Sequence, residues 1–170
     1  MANFVAASSR SFDVEVVIQE ARTTLTDKDI RRFCASTPFK YSADICRACS
    51  DKNKCSNVWH KIIVDSVMVG VAMVYLNKQG DFILQWFLIA PEHRKKGIGS
   101  TFLNYLKDSP PLTIVRAKNV LVLYDEADEK ICSYYENNGF HKAYQPNGER
   151  HKGCLTLLPD VRVSHVFMML

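Results

Sequence analysis

Residues 82–107 read FILQWFLIAPEHRKKGIGSTFLNYLK, and three kinds of segment succeed one another within them. The first eight residues are apolar except for Gln85, a run of strand length that Pro91 closes. Arg94-Lys95-Lys96-Gly97-Ile98-Gly99 is a basic turn with two glycines. Ile98, Phe102 and Leu106 then recur at helical spacing, and Ser109-Pro110-Pro111 ends that helix. A helix start leaves its first N–H groups unpaired at the positive end of the dipole, so a strand, a Gly-containing turn and a helix in this order can hold a phosphate. Two well-known versions of that device are excluded. A Walker loop ends in Gly-Lys-Ser/Thr, which is absent, and a dinucleotide fingerprint needs Gly where Phe102 stands.

Working upstream, 58–64, 67–76 and 82–89 are three strand-like runs joined by turns at Asp65-Ser66 and 77–81. An antiparallel meander before the turn is a further departure from a nucleotide fold. Val14, Val16 and Ile18 alternate with polar neighbours over 13–19, a half-buried strand. Thr26, Asp29, Ile30 and Phe33 predict a capped helix to about Ala35, stopped by Pro38. Tyr41, Ile45 and Cys49 share one helical face and suggest a second helix over 42–50, followed by a polar loop over 51–57. Downstream, a strand is expected over 119–124. The acids Asp125, Glu126, Asp128 and Glu129 then suit the N-terminal turn of a helix. Gly139 suits a left-handed helix cap, and strands over 140–144 and 153–158 flank a turn at Pro146-Asn147-Gly148. The apolar tail 159–170 carries no assignment. The expected fold class is α/β: a single domain, with a mixed, mostly antiparallel sheet of about seven strands flanked by about four helices.

Composition agrees. A chain of 170 residues, 47% hydrophobic and 24% charged with 7 Gly and 6 Pro, is globular and of one-domain size, neither collagenous nor disordered. Lys and Arg total 22 against 18 acids, a net +4 that permits polyanion binding without demanding it. No apolar run approaches the roughly 20 residues that span a bilayer. Residues 1–10 lack the apolar core of a secretory signal, so a soluble cytoplasmic protein is expected.

At Arg94-x-x-Gly97-x-Gly99, preceded by Ile89-Ala90-Pro91-Glu92-His93, the chain resembles the acetyl-CoA-binding motif of the GNAT superfamily of N-acetyltransferases. Tyr134-Tyr135-Glu136-Asn137-Asn138-Gly139-Phe140 is similar to the Phe/Tyr-Tyr-Glu-x-x-Gly-Phe signature of the same family. The order of elements over 13–158 also matches, most strongly over 82–140. The resemblance implies that the backbone of Lys95, Lys96, Gly97, Ile98, Gly99 and Ser100 binds the CoA pyrophosphate, with Arg94 heading the motif and Gly97 and Gly99 at closest approach. It implies that Phe87, Leu88 and Ile89 pair with the pantetheine arm as with another strand, one N–H polarising the thioester carbonyl. The strands ending near Ile89 and Tyr124 would splay apart to admit it. The implied reaction is attack of a neutral amine on the acetyl thioester, with Tyr135 as proton donor to the departing thiolate and Tyr134 packing or touching substrate.

Two departures from the family pattern stand out. The strand over 82–89 has no carboxylate, and Ile83 and Gln85 stand where some relatives place a glutamate base. Asp81, Glu126 or a water chain remain as the base. Asp128, seven residues before Tyr135, stands where many relatives have an Asn that contacts the cofactor. The acceptor, a small-molecule or protein amine, is not specified by the sequence, nor is the oligomeric state.

Six cysteines are too few for a secreted disulfide scaffold. Cys46-x-x-Cys49-x5-Cys55, with Cys34 or His60 as fourth ligand, has the residue types of a structural zinc site; the alternative is that Cys34 and Cys49 are small buried hydrophobes. Cys132 and Cys154 read as core, and His93 as loop surface. Two rivals to an acetyltransferase follow: a non-catalytic acyl-CoA-binding module, from the missing carboxylate, and a zinc-stabilised nucleic-acid or protein adaptor, from the cysteines and mild positive charge.

Overall fold

The computed structural model describes residues 4–5, 16–21, 28–37, 57–77, 80–108, 119–124, 128–145, 148 and 150–157. The chain forms two compact units, the first of Met1–Tyr75 and Trp86–Pro111, the second of Leu76–Gln85 and Leu112–Leu170.

In the first unit the strands are β1 (Phe4–Val5), β2 (Val16–Ala21), β3 (Asn57–Val64), β4 (Val67–Leu76) and the later half of β5 (Phe82–Ile89), in that spatial order. β1 through β4 pair antiparallel. Helix α1 is Lys28–Ser36, a 3-10 turn spans Pro91–His93, and helix α2 is Ile98–Asp108. Alternation along β3 sends its side chains to two faces. On one, Trp59 joins Val71, Met73 and Ala90 beneath Ile30, Phe33 and Cys34 of α1, and Lys61 is ion-paired to Asp29 of α1, holding that carboxyl below its usual range. On the other, His60 packs edge-on against Phe102 and Tyr105 of α2.

The second unit contains the start of β5, β6 (Val120–Leu123), helix α3 (Glu129–Asn137), β7 (His141–Tyr144) and β8 (Arg150–Thr156), with strand order β5-β6-β8-β7. β5 and β6 run parallel, and the other pairs are antiparallel. Phe82, Leu84, Leu121 and Leu155 are buried in its core.

The α/β class and mixed sheet stand as expected, with the two-residue β1 as an eighth strand and three α-helices plus the 3-10 turn among the described residues. Boundaries differ from expectation where backbone pairing outweighs side-chain pattern. β2 runs to Ala21 because it stays in register with Trp59. β8 begins at Arg150, three residues before its apolar stretch, because Arg150 pairs with Tyr144. The expected helix over 42–50, the loop over 51–56, Pro146-Asn147 and the tail lie outside the described residues.

Candidate functional site

Candidate residues fall in both units, at the end of β5 and the start of α2 in the first and at the end of α3 in the second. Thr101 is the first residue of α2 whose N–H finds an intrahelical acceptor, Gly97 O at 2.9 Å, and its hydroxyl donates to the same carbonyl. The N–H groups of Ile98, Gly99 and Ser100 therefore project from the helix start without intrahelical acceptors. Two residues of the preceding turn are left-handed, Lys95 at φ 60° and Gly97 at φ 78°. A Cβ added at Gly97 would meet nothing within 4 Å, so glycine there meets a conformational need and leaves open space over the helix start. Gly99 lies within the first turn of α2 and has no positive φ. Arg94, Lys95 and Lys96 are exposed, and Arg94 Nε donates to Ile89 O at 2.9 Å, tying the turn to the end of β5.

β5 changes character along its length. Phe82, Ile83 and Leu84 are buried and in parallel register with Val120, Leu121 and Val122 of β6. From Gln85 to Ile89 the side chains are half-buried, and the register with β6 has ended. From the hydrogen bond Asn77 N–H to Asp81 O to the bond Ala90 N–H to Val69 O, β4 advances eight residues and β5 nine. The extra residue is a bulge, which bends and twists a strand locally. Gly70 of β4 is in close approach to the end of β5: an added Cβ would come within 2.7 Å of Leu88 O and 2.6 Å of Ile89 Cδ1.

Tyr135 is set by the end of α3. Phe140 N–H bonds Tyr135 O at 3.1 Å and Gly139 N–H bonds Glu136 O at 2.9 Å, with Gly139 at φ 83°. That is a Schellman cap, and its usual apolar contact is the ring of Phe140 against the ring of Tyr135, 5.6 Å between centroids. The Tyr-x-x-x-Gly-Phe spacing thus fixes the tyrosine through backbone chemistry. Tyr135 is buried, and burial together with neighbouring Tyr134 pushes its phenol well above the ordinary value of 10. Tyr134 is half-buried, edge-on to Tyr135 at 5.4 Å.

Of the candidate bases, Asp81 is engaged in a turn: its N–H donates to Asn77 Oδ1 at 2.8 Å and its carboxylate accepts from Asn77 Nδ2 at 3.3 Å. Glu126 lies outside the described residues. Asp128 is the N-cap of α3, its carboxylate accepting from Ile131 N–H at 3.2 Å, where its charge also suits the dipole.

Zinc finds no support. Cys46, Cys49 and Cys55 lie outside the described residues, among which no group of three His, Cys, Asp or Glu side chains is placed to hold a metal. Cys34 is buried in the core under α1, and His60, on the opposite face of the sheet, is fully buried against aromatic rings. Cys154 is core as expected; Cys132 is half-buried, its thiol 3.5 Å from Tyr124 Oη, and His93 is half-buried in the 3-10 turn. Sequence reasoning missed Gly70, although an isolated glycine inside a strand pattern is itself a signal of close backbone approach. It also missed that both ring nitrogens of His60 are buried without a hydrogen bond, for which no local signal exists.

The family profile described as "Acetyltransferase (GNAT) domain" matches residues 56–142, 87 of 170 and so just over half of the chain. No curated protein matches the sequence. Among solved structures, an acetyltransferase from Thermus thermophilus is 15% identical with a TM-score of 0.64, covering 82% of this chain and 95% of that one. A GNAT family acetyltransferase from Elizabethkingia anophelis with acetyl-CoA bound is 16% identical, TM-score 0.57, covering 84% and 97%. A PaiA N-acetyltransferase from Thermoplasma acidophilum in complex with coenzyme A is 14% identical, TM-score 0.54, covering 82% and 97%. At such identities the likeness is one of fold. No helix among the described residues is long and apolar enough to cross a membrane.

Proposed function

The chain belongs to the acetyltransferase (GNAT) domain family, and from that premise we propose that it moves an acetyl group from acetyl-CoA to a primary amine by direct attack in a ternary complex. The observation that carries this reading is the start of α2, where N–H groups without intrahelical acceptors, a left-handed Gly97 with open space beside it and three exposed cations meet. That combination suits a pyrophosphate, which backbone donors and the helix dipole bind without a dedicated side chain. Lys95 and Lys96 add attraction that salt screens. The later half of β5, beyond its register with β6, suits the amide-bearing pantetheine arm, which can add to a strand edge as a peptide does.

In the proposed reaction the amine nitrogen bonds to the acetyl carbon, the carbon–sulfur bond breaks, and the products are an amide and CoA. A β5 N–H near Leu88 would stabilise charge on the carbonyl oxygen. Tyr135, kept protonated by its burial, would act on the leaving sulfur chiefly as a hydrogen-bond donor. A phenol above its ordinary value of 10 gives up its proton reluctantly to a thiolate whose reference value is near 8.5. With Asp81 held by Asn77 and no carboxylate on β3, β4 or β5, the proton of the incoming ammonium would leave to Glu126 or through water. The rate at low amine concentration should then climb with pH as the free amine fraction grows.

Calorimetry of acetyl-CoA binding to the intact chain and to Gly97→Asp tests the reading. A carboxylate over the helix start, on a residue forced to positive φ, should weaken binding by at least about a hundredfold. Equal affinity in both proteins, or no binding by the intact chain, would overturn it.

A further inference from the structure

The two faces of β5 offer unequal approaches to a thioester laid along its later half. On one face Phe87 stacks against Phe102 of α2, ring centroids 5.1 Å apart. On the other, Trp86 and Leu88 lie with Met68 and Tyr75 of β4, all half-buried against the cluster of Ile30, Phe33, Trp59 and Met73. A carbonyl hydrogen-bonded to a strand edge lies near the plane of the sheet, and a nucleophile approaches it from above or below that plane. α2 covers one side of β5, which leaves the Trp86 face for the amine. That face is apolar. β3, β4 and β5 contain no Asp or Glu. The described charged side chains of α1 and β3 are Lys28, Asp29, Arg32 and Lys61, three cations to one anion, with Asp29 already paired to Lys61.

We propose, resting on the acetyltransferase reading above, that Trp86, with Leu88 and Tyr75 beside it, forms the wall against which the acceptor packs, and that the acceptor is a primary amine carried on an aromatic body. A polyamine would bring several charges to a face where, among the described side chains of α1 and β3, the one anion, Asp29, is already paired to Lys61 and the cations are in excess. An aromatic body would remove apolar surface of Trp86 and Tyr75 from water.

The test uses the full chain with two probes, tryptamine and spermidine. Release of CoA thiol is followed with acetyl-CoA, and amine binding to the CoA-loaded protein is followed by calorimetry. Tryptamine should be used at least about tenfold more efficiently than spermidine. Trp86→Ala should raise KM for tryptamine about tenfold while KM for acetyl-CoA stays within about twofold. Leu88→Ala, a smaller change to the same wall, should move tryptamine KM in the same direction, and it keeps the test alive if Trp86→Ala does not fold. Spermidine preferred over tryptamine, or KM for both amines unmoved in the variants, would overturn the proposal. Trp86-dependent binding of tryptamine without any thiol release would instead overturn the transfer reaction and support the wall.

Discussion

The region around α2 and the end of α3 solve opposite problems. Around α2, the first N–H groups of the helix have no intrahelical acceptor, a Cβ added at Gly97 beside them would meet nothing within 4 Å, and His60 beneath has no hydrogen bond at either nitrogen. At the end of α3 the last turn's carbonyls of Tyr135 and Glu136 are satisfied by the Schellman cap, and what remains on offer is one buried ring. The first region is built of backbone left over for a ligand, the second of a side chain held by backbone already used. Binding and chemistry can therefore fail separately.

The sharpest way to break that contrast is acid. Burial lowers the His60 pKa from 6.5 to about 3, so the folded state resists a proton that the unfolded chain accepts. The resulting stability is whole above about pH 6.5 and falls as pH drops toward 3, by up to about 5 kcal/mol. Urea midpoints taken across that range should decline steeply for the native chain and more shallowly, by one proton's slope, for His60→Leu. Parallel curves would show that His60 does not govern the acid limb.

Next in size is Phe140→Ala, which removes the ring that buttresses Tyr135. A loss of about 3–5 kcal/mol is expected in denaturant unfolding. A loss under about 1 kcal/mol would mean the cap alone positions the tyrosine. Tyr135→Phe keeps the packing and removes the donor. Turnover should fall by about a hundredfold with acetyl-CoA affinity and thermal midpoint unchanged. An unchanged rate would take Tyr135 out of the mechanism. The smallest effect belongs to Gly139→Ala, where a Cβ at φ 83° should lower stability by about 1–2 kcal/mol, with Gly139→Asn recovering part of it.

Much of this architecture is legible in the order of the residues. The helix start after Lys96 and the cap at Gly139 are local events, governed by residues a few positions apart. The apolar runs of β3, β4 and β5 place three strands. The zinc reading gains no support among the described residues, and its two alternative fourth ligands, Cys34 and His60, lie on opposite faces of the sheet, a fact that the 26 positions from one to the other do not reveal. Lys95 in the left-handed region carries no sequence signal either, since only the hydrogen bond from Arg94 back to Ile89 shows how tightly the turn is drawn in.

By itself, then, the sequence determined the periodicities, the two turns that require glycine, the family resemblance and the absence of a carboxylate on the central strands. Tertiary structure alone decided that Gly70 closely approaches the end of β5, that His60 is buried among rings, and that Trp86 and Phe87, adjacent in the chain, serve opposite faces with opposite neighbours. The reason is physical. Local rules act through bonds and turns within a few residues, whereas burial, close approach and the face a side chain meets depend on which distant strand or helix lies alongside.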